Sequence, residues 1–379
     1  MSAAPDFQRL HVNRRLDLDE IEAVGFDLDH TLALYDDHAL NVLATAETVE
    51  FLGGHRGYAP DLLRVATDPI PAARGLSLDL RHGNVLKIAA DRTVLAARRG
   101  DAWVDARAIR EQYREHDPAC DSSTWHIHSP FDEPTLWFFA ALAPRIDPGH
   151  DAGTSAKMAT LLGDIRAMLD RSHTTGELKR RVLGELDRFV RPAGGVREGL
   201  ERWARGGKRL FVVTNSDRAF ATAVLDRVLG GLWRELFALV VTGAEKPSFF
   251  AAPRSVAARP GPGSGHVIEG GSARGVESIL GVPATRVLYI GDNARSDVAP
   301  ARAHGWRTAH VVAELAAATT PSPWGGALEH NGVPTWFARV IREEADVVCA
   351  RADRLLALEP SAVLDADSGF FARLRSEAP

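Results

Sequence analysis

The sequence predicts an α/β protein, a doubly wound parallel sheet interrupted by a long, mainly helical insertion. Three observations carry this expectation. The runs Ala23–Phe26, Leu210–Val213, Leu236–Val241 and Arg286–Ile290 are apolar almost throughout rather than alternating, as in strands covered on both faces. From Arg209 onward such runs alternate with helical stretches, the signature of a parallel sheet built from strand–helix–strand units. Each run also ends in a polar cluster: Asp27 and Asp29, Thr214 and Asn215, Lys246, then Asp292 and Asp297. Parallel strands present their carboxyl ends at one edge of the sheet, so the four clusters are expected to converge there.

Composition sets the outer bounds. A chain of 379 residues has room for two or three units at about 150 residues each. With 45% hydrophobic and 25% charged residues it reads as an ordinary globular protein. A net charge of -5 argues against a general nucleic-acid or membrane-surface binder, which would carry a basic bias. Two cysteines, Cys120 and Cys349, are too few for a disulfide framework and fit a reducing compartment. No apolar run approaches the ~18 residues of a membrane span, and the first ten residues lack a signal-peptide layout. A cytoplasmic location is therefore expected.

In chain order, a polar lead-in precedes the first strand and its paired carboxylates. Leu40, Leu43, Ala44 and Phe51 mark one apolar helical face over Ala39–Leu52, and Gly53-Gly54 is expected to stop that helix. Leu76–Leu80, Asn84–Ile88 and Thr93–Ala97 read as strands, the last two as a hairpin. Residues from about 100 to 190 read mostly as helices, including Leu136–Leu142 and Ala156–Leu169. After Arg209 come the strands named above, with helices at Ala219–Leu229, Gly275–Leu280 and Ser296–His304. Pro253–Gly265 reads as an irregular loop, Thr308–Val312 as the last strand, and the tail from Trp336 as helical.

The clustered charges imply their own chemistry. Carboxylates brought within ~4 Å repel by about 1 kcal/mol per pair in water and about 4 at a protein-like dielectric. A hard divalent cation resolves the conflict, and oxygen-only donors with no His or Cys beside them favour Mg2+ over Zn2+. Thr214, Asn215 and Lys246 would supply donors to the remaining oxygens of a bound phosphate. Each residue has a plainer alternative: Thr214 and Asn215 could cap the next helix, Lys246 could be a solvated loop lysine, and Asp292 could be a turn residue. His126 and His128 flank Ile127, but no further ligand lies at a zinc-like spacing. Neither a GxGxxG fingerprint nor a GxxxxGK[ST] run is present.

The DxDxT pattern of Asp27, Asp29 and Thr31 resembles the first motif of the haloacid dehalogenase (HAD) superfamily of phosphohydrolases. The wider strings VNRRLDLDEIEAVGFDLDHTLALYD, VVTNSD, EKPSFF, IEGGSARGVESILG and VLYIGDNARSDV are similar, in order, to the cytosolic purine 5′-nucleotidase family over most of residues 10–315. The resemblance implies a HAD-like core at 10–50 and 190–320, a cap domain inserted at 51–189, and a C-terminal helical extension at 321–379. It implies that Asp27 is the nucleophile and Asp29 the acid–base group, with Thr214, Asn215 and Lys246 on the phosphate. Mg2+ would be held by the Asp27 side chain, the Asp29 main-chain carbonyl and Asp292, with Asp297 supporting the metal waters or Lys246.

In the insertion, Arg166, Asp170 and His173 fall on one helix face and resemble the family's purine-reading helix. Arg donors and an Asp acceptor there suit a 6-oxopurine, so the implied substrate is a purine nucleoside 5′-monophosphate of IMP or GMP type. An exposed ion pair between Arg166 and Asp170 is the plainer account of the same residues. The resemblance also admits a homo-oligomer. A HAD phosphatase for another phosphomonoester, such as a sugar phosphate, and a non-catalytic HAD-like binding protein stay open as alternatives.

Overall fold

The computed structural model describes residues 10–66, 73–251, 266–316 and 322–366, with the backbone alone at 169–170 and 172–175. The expected loop at Pro253–Gly265 lies outside the described residues. The chain divides into two compact units. One comprises Met1–Asp36, Glu185–Ala317 and Val340–Ser376; the other comprises Asp37–Gly184, Ala318–Arg339 and Glu377–Pro379.

The first unit is built on an eight-stranded sheet. Its strands are β1 (His11–Val12), β2 (Ala23–Phe26), β3 (Arg209–Val213), β4 (Phe237–Thr242), β5 (Val267–Glu269), β6 (Val287–Gly291), β7 (Arg307–Val311) and β8 (Val347–Cys349). Their order across the sheet is β1-β8-β7-β6-β2-β3-β4-β5. All neighbours run parallel except β1, which lies antiparallel to β8. β2 is interior: Phe26 stands opposite Ile290 of β6 on one side and Val212 of β3 on the other. All four of its residues are buried, which is why no polar alternation marks it.

Gly25 is required at this place. A Cβ there would lie 2.4 Å from two ring atoms of Phe211 and 2.8 Å from the Tyr289 ring, so the two flanking strands close over the bare backbone. Those rings join Phe249, Phe250, Val276 and Trp306 in one apolar cluster on that side of the sheet. The covering helices begin on sequence-encoded caps. Asp217 accepts from Phe220 N at the start of Arg218–Leu229, and Ser272 accepts from Gly275 N at the start of Ala273–Leu280.

The C-terminal part differs from the expected helical extension at 321–379. Helical spacing from Trp336 holds only to Glu344; Val347–Cys349 then pairs with Ala309–Val311 inside the sheet. A three-residue run is too short to announce itself by periodicity, and its β-branched valines fit a pleated, buried surface. Thr308–Val312 is accordingly not the last strand of the fold. A further short strand, Val363–Leu364, pairs with Leu16–Asp17.

The second unit begins at Asp37 rather than at residue 51, because the helix Asp37–Arg56 runs straight through Gly53-Gly54. Helix-interior glycines cost about 1 kcal/mol each, an amount that the buried face of Leu40, Ala44, Phe51 and Leu52 outweighs. The unit also holds an antiparallel five-stranded sheet, in the order Ala102–Trp103, Val94–Arg99, Asn84–Ile88, Leu76–Asp79 and Thr124–His126. Helices Glu133–Ile146 and Thr154–Thr175 also belong to it, with Leu78, Val85, Leu136, Phe138, Phe139, Leu161 and Ile165 in a shared core. His126 is spent locally, on Ser77 Oγ at 2.8 Å and the Ala119 carbonyl at 3.2 Å.

Two short strands mark where the chain leaves and re-enters the first unit. Ala33–Tyr35 and Val190–Pro192 pair antiparallel, with Tyr35 opposite Val190, and Arg191 forms an ion pair with Asp36 at 2.5 Å.

Candidate active site

Four strand ends bring the site together. At the end of β2, the Asp27 amide still donates to Ile290 O at 2.8 Å, so this residue is held in sheet register. The chain then turns tightly, with Leu32 N and Ala33 N both donating to Leu28 O and His30 at φ 57°. That turn aims Asp27 and Asp29 differently. Asp27 is buried, whereas Asp29 is only half-buried.

Lys246 is the hub. Its buried Nζ donates to Asp27 Oδ1 at 2.7 Å, Asp297 Oδ1 at 2.6 Å and the Tyr289 hydroxyl at 3.1 Å. A buried ammonium with two carboxylates and a hydroxyl has all three of its hydrogens placed. The side-chain oxygens of Asp27, Asp292 and Asp297 lie within 4.8 Å of one another, and all three residues are buried. Among the described residues this is the one group of three or more acidic, His or Cys side chains with metal-site spacing.

Three carboxylates against one ammonium leave two negative charges in excess, which is what a hard divalent cation would neutralise. Without that cation, burial pushes the Asp27 carboxyl up to about 7, opposed by the Lys246 ammonium and reinforced by Asp297 and Asp29. Burial works against the charge on Lys246, but Asp27 and Asp297 outweigh it and hold its pKa well above the usual lysine range. The two tendencies compete for one proton, and the ammonium, with two anionic partners, is the charge that persists.

The turn that follows β6 is shaped by Gly291. A Cβ there would fall 2.6 Å from Asp297 Cβ and 2.8 Å from its Cγ, so glycine lets the one-turn π-helix Ala294–Val298 fold back against β6. Asn293 caps this turn, accepting from Arg295 N and Ser296 N. On the far side, His310 Nε2 bonds the Asp292 carbonyl at 2.9 Å.

Not every expected site residue takes its expected part. Asn215 does not present its amide as a phosphate donor in this arrangement. Its Nδ2 donates to Lys246 O at 3.1 Å and its Oδ1 accepts from Lys246 N at 2.7 Å, so it clamps the backbone of the lysine. The fully buried Thr214 uses its Oγ1 to accept from Ser216 N at 3.0 Å, and capping of the next helix falls to Asp217. Asp29 stands outside the carboxylate trio, with its side chain bonded to Tyr35 and Ser216. In the second unit the exposed Arg166 lies with its guanidinium carbon 5.6 Å from the centre of the Trp125 ring. The side chains of Asp170 and His173 lie outside the described residues.

Four residues of the site carry no signal of their own in the sequence: Tyr289 lies in an apolar run, and Ser216, Tyr35 and His310 stand at no periodic position that marks them.

A model of the 5′ nucleotidase family matches residues 10–323 of this chain. Among its relatives are the 5′-nucleotidase domain-containing protein 2 of Rattus norvegicus and of Homo sapiens, each 27% identical over 328 residues that cover 81% of this chain. The matched region is 59% of the rat protein and 63% of the human one, so the chain spans about three fifths of these relatives' length. Among solved structures, a HAD phosphatase from Thermococcus onnurineus is similar at 14% identity and a TM-score of 0.37, over 88% of this chain and 96% of that one.

Proposed function

We infer that this chain, which belongs to the 5′ nucleotidase family, hydrolyses purine nucleoside 5′-monophosphates by passing the phosphoryl group to Asp27 and then to water. The observation that carries the reading is the meeting of Asp27, Lys246 and Asp297 at 2.6–2.7 Å, with Asp292 in the same cluster, from three separate strand ends. A protein that only bound a ligand would have no use for so many buried, mutually repelling acids.

In the first step an Asp27 oxygen attacks phosphorus, the bond from phosphorus to the ester oxygen breaks, and its electron pair leaves on the ester oxygen. Asp29 gives that oxygen its proton, releasing the nucleoside. In the second step Asp29 takes a proton from water as the water oxygen attacks phosphorus, and the bond to Asp27 breaks to restore the carboxylate. Acid–base help of this kind typically contributes ~10²–10⁴-fold. Lys246 neutralises Asp27 between turnovers and donates to phosphoryl oxygens, and Asn215 keeps its backbone in place. Asp27, Asp292 and Asp297, with the Asp29 carbonyl, would hold Mg2+, which when bound polarises the phosphoryl group. The inserted unit would serve as the cap, with Arg166 donating to the 6-oxo group or N7 of a purine.

The test is a panel of 5′-nucleotides, sugar phosphates and p-nitrophenyl phosphate, assayed with Mg2+ and after EDTA. Purine nucleotides should be preferred, EDTA should abolish turnover, and Asp27→Asn should be inactive yet folded. A preference for a sugar phosphate by about tenfold, worth ~1.4 kcal/mol in transition-state binding, would replace the nucleotide by another phosphomonoester. Undiminished turnover by Asp27→Asn would overturn the mechanism.

A further inference from the structure

We propose that Tyr35 is a positioning residue for Asp29, fixing the plane of the acid–base carboxyl from the strand that leads into the insertion; this rests on the function proposed above. The Tyr35 hydroxyl donates to Asp29 Oδ1 at 2.5 Å, and Ser216 Oγ donates to Oδ2 at 3.0 Å. The terminal torsion of an aspartate is broad, so a carboxyl held on one oxygen can still swing. Donors on both oxygens, arriving from different parts of the chain, remove that freedom.

Tyr35 is well suited to the task. Its side chain is almost fully buried, and its ring centre lies 5.1 Å from that of His30 in the turn that follows Asp29. Its backbone pairs with Val190, the next residue donates to Phe189 O at 2.9 Å, and Arg191 anchors Asp36. The hydroxyl is thus referred to a rigid two-stranded ladder and not to a free loop. This ladder is also where the chain departs for Asp37–Gly184 and returns.

In the first chemical step Asp29 loses its proton to the ester oxygen while Tyr35 and Ser216 keep theirs. Their two hydrogen bonds then stabilise the carboxylate that forms. The contribution depends on how badly the leaving oxygen needs a proton. An alkoxide needs it greatly and p-nitrophenolate hardly at all.

The experiment compares kcat/KM for a nucleoside 5′-monophosphate and for p-nitrophenyl phosphate in the unmodified protein, Tyr35→Phe, Tyr35→Leu and Asp29→Asn. Tyr35→Phe should lower kcat/KM about tenfold for the alkyl ester and less than about threefold for the aryl ester, a modest share of what acid catalysis supplies. Tyr35→Leu should give the same split, and Tyr35→Phe added to Asp29→Asn should change nothing further. Equal losses on both substrates, no loss at all, or a split confined to Tyr35→Leu would assign Tyr35 a packing role and overturn the proposal. Asp27→Asn is run beside them. If it is inactive while Tyr35→Phe shows no split, only this inference fails; if it stays active, the reaction itself has been misassigned.

Discussion

Replacing Lys246 by methionine keeps the volume and removes the one charge that balances Asp27 and Asp297. Both carboxylates lie within 2.7 Å of the ammonium and are buried, so the variant keeps two anions face to face with no cation between them. Breaking a buried pair by deleting one partner costs ~3–5 kcal/mol, a large share of the ~5–15 kcal/mol that holds a domain folded. The loss has a definite pH signature. Asp27 is already raised to about 7 by burial with the lysine present, and without it the folded-state value climbs further. A carboxyl whose pKa is higher folded than unfolded binds an extra proton on folding, so its contribution is complete at low pH and is lost as the pH rises through the folded value. Urea unfolding, followed by the fluorescence of the eight tryptophans, should therefore place Lys246→Met far below the parent near pH 8 and recover much of the gap near pH 5.5. Mg2+ added near pH 8 to the variant should recover part of the gap too, because it supplies the missing positive charge. Equal midpoints for the two proteins near pH 8, or a gap that widens on acidification, would refute the charge balance described here.

Other perturbations probe neighbouring parts. Gly291→Ala places a Cβ 2.6 Å from Asp297 Cβ, so Asp297 must withdraw from Lys246. Overpacking of this kind costs ~1–3 kcal/mol, and phosphatase assays should show a fall in kcat that Asp297→Gly, combined with it, does not deepen. Gly25→Ala drives a methyl into the Phe211 ring at 2.4 Å in the middle of the sheet; loss of soluble, folded protein on expression is the expected outcome. Cys349 is fully buried and its thiol is pushed up to about 12 by that burial, whereas Cys120 is exposed. An aromatic disulfide reagent should therefore titrate one thiol in the native protein and a second only in denaturant.

Much of the fold could be read from the residues, for reasons that can be stated. Strands buried on both faces leave uninterrupted apolar runs, and β2, β3, β4 and β6 were found by that mark alone. Charges at their ends were visible because a buried sheet has no other reason to stop in carboxylates. What stayed hidden has physical causes as well. β8 is three residues long and follows a helix whose spacing runs up to it, so pairing with β7 decides its state. The first helix crosses two glycines because tertiary burial overrides local propensity, and this moved the apparent start of the insertion. In the site, Asn215 belonged to the right cluster but serves the lysine backbone, a distinction made by amide orientation and not by residue type. Tyr289 could not be singled out, since a tyrosine in a strand is ordinarily core and only its hydroxyl reaches Lys246.

The position of β8 has a consequence for how this protein comes into being. β8, which joins β1 to the rest of the sheet, leaves the ribosome more than three hundred residues after β2. At ~5–20 residues per second β1 has nothing to join for roughly 15–65 s, whereas β7, made about 35 residues before β8, carries an unpaired hydrogen-bonding edge for roughly 2–7 s. Nascent chains stalled before Val347 should therefore be the species that chaperones hold, and emergence of β8 should be the event that ends the need for them.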